Sequence, residues 1–222
     1  MSALCRVPGC NAAVSSQYST LCPIHKSNLR RHGHASQRGV TAAELRPHLA
    51  SVRARIKKNR ESPAWTQLER RWLTVVEHAR GVVAEYYAGK AGYAYERKAA
   101  NEVLKIAEAV PPRDVLEVVL AMFVFEARDP KRFVSDRGFR FQLVRRTRAL
   151  ADVNVGLSYD HETGRVRRVY REFPPKAVAI LGQWLADALG VGGVHIAKLE
   201  RAEEERRARE NAELHRSLVA LT

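Results

Sequence analysis

The sequence predicts a mainly α-helical chain with one β-hairpin and a small, separately organised N-terminal segment. Three observations carry that reading. Apolar residues recur at helical spacing through most of residues 41–151 and again after residue 175. Only residues 153–159 alternate strictly between apolar and polar or small side chains. All three cysteines fall within the first 22 residues.

The chain has 222 residues, enough for one or two domains, and 45% of them are hydrophobic, enough to bury a sizeable core. Its 38 Lys and Arg against 24 Asp and Glu leave a net charge of +14. The excess is uneven. Residues 1–62 carry +9 and residues 128–171 carry +7, while the remaining blocks are neutral or slightly acidic. Two basic blocks of this kind point to a polyanionic partner, nucleic acid above all, met by two contact surfaces or by one composite surface. No apolar run reaches the length of a membrane span, and MSALCRVPGC lacks the charged-then-apolar pattern of a signal peptide. A cytoplasmic protein without membrane contact is therefore expected.

Cys5, Cys10, Cys22 and His25 stand as C-x4-C-x11-C-x2-H. Thiolates and imidazole are the preferred donors for zinc, and two close pairs bring four of them into a tetrahedron. Val7-Pro8-Gly9 offers the tight turn of a metal knuckle. Pro23 suits the first turn of a helix, which would set Cys22 and His25 on one face at i and i+3. One structural Zn2+ is expected on these four residues. His32 and His34 are spare donors, read as exposed histidines of a basic loop.

Lys26, Arg30, Arg31 and Arg38 follow the metal pattern. Over about the first 35 residues, CRVPGC … CPIHKSNLRRHG resembles the small treble-clef-like zinc fingers of phage and mobile-element DNA-binding proteins. That resemblance implies zinc and nucleic-acid association. Similar fingers also lie beside HNH-type nuclease sites.

Beyond the finger, Thr41 with Glu44 forms a capping box ahead of a helix in which Pro47 favours a kink or a late start. Pro63 opens the next helix. Trp65, Leu68, Trp72, Val75, Val76 and Ala79 make a wide apolar stripe read as core, and Gly89 and Gly92 end it. Tyr86, Tyr87, Tyr93 and Tyr95 cluster near that break, as a stacking surface or as packing. Another helix is expected from about Tyr95 to Val110, stopped by Pro111-Pro112.

Residues 113–127 are nearly all apolar, as in a buried helix. A helix from about Asp136 to Ala151 puts Phe139, Leu143, Val144, Thr147, Leu150 and Ala151 on one arc. Gln142, Arg145, Arg146 and Arg148 fall on the other. Arg140 falls inside the apolar arc, where a buried carboxylate is expected beside it. Arg and Gln are the side chains that bond purine edges in the major groove. The alternating strand then meets the turn Asp160–Gly164 and a return strand carrying Arg165, Arg167, Arg168 and Arg171, with a bulge expected near Arg167–Arg168. Two helices and an arginine-rich hairpin read as a winged helix, one helix in a groove and the wing on phosphates. Pro174-Pro175 ends the hairpin. An amphipathic helix closed by Gly190 and a final polar helix from about His195 are expected next, with i,i+4 pairs Glu203–Arg207 and Glu205–Arg209.

The expected organisation is a zinc finger over residues 1–38 and a helical linker block over 39–110. A winged-helix-like DNA-binding core over 111–193 and a C-terminal helical arm over 194–222 complete it. The chain contains no phosphate loop, no nucleophile elbow and no H-E-x-x-H pair. No catalytic residue is assigned. The expected function is zinc-containing DNA binding, as a regulator or accessory factor in recombination or replication of a mobile element. The C-terminal helix is the expected contact for a second copy or for a recombinase or replication partner. The alternatives are an RNA-binding module and a metal-dependent HNH-like nuclease.

Overall fold

The computed structural model describes residues 3–151, 155–170 and 173–219. Among these residues there are seven α-helices, α1 (Pro23–His32), α2 (Ala42–Lys58), α3 (Pro63–Tyr87), α4 (Ala94–Ala109), α5 (Pro112–Arg128), α6 (Asp136–Arg148) and α7 (Pro175–Val219). One two-stranded sheet, β1 (Val155–Asp160) and β2 (Arg165–Tyr170), lies between α6 and α7, and a single 3-10 turn, Pro130–Arg132, precedes α6.

Local signals set most of these boundaries. The Thr41 hydroxyl accepts from Glu44 N at 3.2 Å, and the Glu44 carboxylate accepts from Thr41 N at 2.7 Å, so both halves of the capping box form. Helix α2 accordingly begins at Ala42 and carries Pro47 within it. Ser62, with Pro63 after it, starts α3. Ser135 caps α6 by accepting from Gly138 N at 3.1 Å.

Helix α5 is the centre of the core. Ten of its residues from Val115 to Phe125 are buried, because α2, α3, α6 and α7 surround it. Trp65 and Trp72 of α3 are buried in the same cluster, as expected of core aromatics. Phe123, Phe125, Phe133 and Phe139 meet edge to face along its lower end, with centroids 5.1–5.3 Å apart.

Helix α7 departs from the sequence expectation. It runs unbroken for 45 residues through Gly190, Gly192 and Gly193, where two helices were expected. These glycines are contact points. A Cβ at Gly193 would fall on Phe123 of α5, and one at Gly192 would meet Leu68 of α3. The glycines let three helices approach closely, at the cost of helix propensity. Because the helix is continuous, one 18-residue window of it reaches a mean hydropathy of 1.5, so an apolar run of membrane-span length does exist. The window is 44% buried against the bundle, as the core face of a packed helix would be, and by itself it is weak evidence for membrane crossing.

The hairpin pairs without interruption from Val155↔Tyr170 to Asp160↔Arg165, so no bulge forms at Arg167–Arg168. Asp160 Oδ1 accepts from Glu162 N and Thr163 N, and Gly164 takes φ 63°. The turn thus closes by Asx chemistry and one left-handed glycine.

The middle of α7, at Glu200 to Glu204, is tied to α2 and α5. Arg55 pairs with Glu200 and, at 2.8 Å, with Glu203, while Arg128 pairs with Glu204. Beyond these pairs the helix is exposed, and Glu203–Arg207 and Glu205–Arg209 form at 2.7 and 4.0 Å. Leu214 and Leu218 are exposed.

Candidate metal centre and its basic surround

The N-terminal segment is built from short hydrogen-bonded turns. Cys5 N donates to Ala12 O at 2.9 Å, Leu4 bridges Ala13, and Arg6 N donates to Thr20 O at 2.9 Å. Gly9 takes φ 77° and lets the chain fold back, with Cys10 N donating to Val7 O at 3.0 Å. Cys22 stands at the N-cap of α1 with Pro23 behind it. Its carbonyl accepts from Lys26 N at 2.9 Å, which sets His25 on the same face one turn on.

These turns bring together the four residues expected as ligands. His25 Nδ1 lies 3.3 Å from both Cys5 Sγ and Cys22 Sγ, and Cys10 Sγ lies 3.9 Å from Cys22 Sγ. All four donor atoms fall within 4.8 Å of one another, close enough to hold one metal ion. A tetrahedral zinc with Zn–S near 2.3 Å and Zn–N near 2.0 Å requires edges of about 3.8 Å between sulfurs and about 3.5 Å between sulfur and nitrogen. The donor set and spacing are therefore compatible with zinc. Burial pushes the Cys5 thiol up. The Cys22 and Val7 backbone and the His25 and Cys10 side chains outweigh that and hold it at about 6, favouring the thiolate a metal needs.

Past His32 the chain does not run into a loose basic loop. Gly33 caps α1 at φ 80° and lies so close to the Phe141 ring of α6 that a Cβ would stand 2.9 Å from it. His32 is buried, a correction to the exposed-loop expectation. Gln142 Nε2 and Arg145 Nη1 approach its Nδ1 at 3.3 and 3.4 Å. Since an arginine can only donate, Nδ1 accepts, and the ring is neutral with its proton on Nε2. Burial, then Arg145, Arg31 and Arg132, hold its pKa below the ordinary value. His34 Nδ1 accepts from Ser36 N at 3.2 Å.

Gln142 corrects the expectation that it reads base edges. It is fully buried, and its Oε1 accepts from Val40 N at 2.9 Å. A wheel drawn along α6 assigns it to a polar face, but α1 and the segment after it cover that face. Gln37, also fully buried, does the reciprocal work. Its Nε2 donates to Arg38 O and Arg132 O at 2.8 and 3.3 Å, and its Oε1 accepts from Val134 N at 3.0 Å. Arg132 adds bonds to Arg38 O and Gly39 O and an ion pair with Glu44 at 2.8 Å. Gln37 and Arg132 carried no legible signal, because all but one of the groups they satisfy are some 90 residues away.

The other expected contact residues divide. Lys26, Arg30, Arg31, Arg38 and Arg145 present exposed side chains. Arg145 lies beside Gly39 and, with Arg31 and Arg132, faces His32. The basic end of α1 and the basic side of α6 thus adjoin. Arg146 is half-buried, its Nε has no partner among the described residues, and burial and Arg145 lower its pKa. Arg148 is not on a free face: it pairs with buried Glu102 at 2.5 Å and covers the Phe173 ring at 4.7 Å. With α1, α5 and α7 packed around it, α6 leaves Asp136, Arg137 and Arg145 exposed, too little to lie in a groove as the recognition helix expected of it. Arg140 bonds the Gln183 amide at 2.5 Å, where a carboxylate was expected. Arg165 is exposed at the hairpin turn. Arg171 and the side chains of Arg167 and Arg168 lie outside the described residues.

Compared with known proteins, the chain matches no family model, no curated protein and no solved structure.

Proposed function

We propose that the protein is a zinc-containing DNA-binding protein whose duplex contact is one composite basic surface rather than a recognition helix. One observation carries the reading: the Cys5–Cys10–Cys22–His25 cluster closes onto the start of α1, and at the other end of that helix the exposed cations Arg31 and Arg145 meet around His32. Bound zinc would supply structural charge and rigidity to the knuckle. The residues around it would then hold Lys26, Arg30 and Arg31 in place against phosphates. The hairpin, with Arg165, Arg167 and Arg168, supplies a second phosphate contact in this reading. A role in mobile-element recombination or replication accords with the resemblance of the first 35 residues.

The test is a fluorescence-anisotropy titration of zinc-loaded protein on a random duplex across a salt series. The logarithm of affinity should fall linearly with that of salt concentration, at about −0.9 per phosphate neutralised, for about five to eight phosphates. Arg31→Ala and Arg145→Ala should each shallow the slope by about one unit. An affinity flat from low to physiological salt overturns the proposal.

A further inference from the structure

The turn between α3 and α4 carries four tyrosines that neither the metal centre nor the basic surface uses. Tyr86, Tyr87, Tyr93 and Tyr95 are 47, 81, 82 and 39% exposed. The tryptophans of α3 are buried, so this is where the aromatic stripe of that helix turns outward. Tyr86 and Tyr87 meet edge to face at 5.6 Å.

Cations from two helices flank the rings. The Arg97 guanidinium lies 3.6 Å from the Tyr86 centroid, and the ammonium groups of Lys98 and Lys176 lie 5.8 and 5.2 Å from that of Tyr95. Lys176 stands in the first turn of α7, so the start of that helix lies against the Tyr95 ring. Two carboxylates are near: Glu85, taken up by Lys90 at 3.2 Å, and half-buried Glu96. The turn itself is small. Gly89 takes φ 78°, and a Cβ at Gly89 or Gly92 would meet nothing within 4 Å, so the approach to the rings is open.

Exposed phenol rings interleaved with ammonium and guanidinium groups match one ligand chemistry well. Flat bases stack on the rings while the cations meet the phosphates between them. In a duplex the base faces already cover one another, so only unpaired bases offer a face. An apolar protein partner fits less well, because the groups around the rings are Ala, Gly, Lys and Arg rather than Leu, Ile or Val.

We propose that the tyrosine turn is a stacking platform for single-stranded nucleic acid, separate from the duplex surface and independent of it. Tyr87 and Tyr93 supply the open ring faces, and Arg97, Lys98 and Lys176 hold the backbone. Single-stranded DNA and RNA share this chemistry.

The experiment compares zinc-loaded wild type with Tyr87→Ala/Tyr93→Ala and Tyr87→Phe/Tyr93→Phe. The probes are fluorescein-labelled oligo-dT, oligo-rU and a random duplex at one salt concentration. The alanine pair should weaken oligonucleotide binding about tenfold or more per ring, and the phenylalanine pair should retain it. Duplex affinity should stay within twofold of wild type for both pairs, which separates this platform from the basic surface. The dT and rU arms identify which strand binds tighter. Four results would overturn the proposal: no single-strand binding by wild type, equal affinity of the alanine pair and wild type, a loss in the phenylalanine pair equal to that in the alanine pair, or a wild-type dimer that the alanine pair dissolves. The last would make the turn an interface between copies. Thermal melts of both variants confirm that they fold, since the substituted rings are exposed.

Discussion

Gln142 Oε1 accepts a hydrogen bond from Val40 N at 2.9 Å across 102 positions of sequence, and neither partner has access to water. This bond, with Gln142 Nε2 on His32, joins the segment after the metal centre to the middle of α6. Replacing Gln142 with Ala strands a buried N–H and removes a donor from His32. It should cost about 1–3 kcal/mol by urea denaturation. If Gln142 contacts DNA instead, stability will hold and affinity will fall.

Two helix glycines, Gly193 of α7 and Gly81 of α3, separate two opposing effects. Gly193→Ala puts a Cβ 2.7 Å from Phe123 Cβ, an atom fixed to the backbone that no rotamer change moves away. Overpacking of about 1–3 kcal/mol should then exceed the gain in helix propensity. Gly81→Ala, in α3 with nothing within 4 Å of the new Cβ, should stabilise by about 0.5–1 kcal/mol. Urea midpoints that move the same way would show that α5 and α7 do not meet at Gly193.

Arg148 and Glu102 form a pair with side chains 17 and 5% exposed. Removing the arginine leaves a buried carboxylate, with Lys105 at 3.9 Å as a weaker partner. Arg148→Ala should cost about 3 kcal/mol of stability. Specific and random duplexes should be bound with the same ratio as before, measured by competition titration.

Two glutamates predict pH effects of opposite sign. The Arg132 guanidinium, then the Thr41 backbone and hydroxyl, offset the burial of Glu44 and hold its pKa at about 2, against a usual value of 4.5. The stabilisation it contributes is present above pH 4.5 and is lost as pH falls towards 2. With Glu44 about a third exposed, solvent screening reduces it to about 1 kcal/mol. Burial, then the charge of Asp136, push Glu126 up to about 6. A raised carboxyl pKa favours the folded state below 4.5, and that advantage is lost as pH rises through 6. Glu126→Gln should therefore stabilise by about 1–2 kcal/mol at pH 8 and by little at pH 4, while Glu44→Gln should flatten the acid limb. Urea denaturation at a series of pH values checks both.

Metal removal should act locally. Structural zinc sites contribute about 10–16 kcal/mol to the folding of a small finger at neutral pH. Cys10→Ser, or chelation, should open residues 3–22 to proteolysis and hydrogen exchange. The end of α1 stays docked through Gly33 on Phe141, and α2 to α7 keep their protection. Elemental analysis should return one zinc per chain for wild type; none would remove the metal reading.

Features carried by residues a few positions apart could be read directly. The Thr41–Glu44 box, the proline starts of α1 and α3, the Asp160–Gly164 turn and the C-x4-C-x11-C-x2-H spacing each close hydrogen bonds or gather ligands within about twenty residues. Their geometry follows from local backbone rules. The buried run of α5 was legible too, since little except burial explains eleven residues with hardly a polar side chain. What a polar or small residue faces was decided only in the tertiary structure. Gln142 reads as surface until α1 covers it, Arg148 reads as a free cation until Glu102 arrives from α4, and Gly190 to Gly193 read as a break until Phe123 and Leu68 fill the space a side chain would take. A polar side chain has one chemistry on a wet face and the same chemistry in a dry one. Which of the two it meets depends on partners that lie as far as 110 residues away, beyond the reach of any periodicity along a single helix.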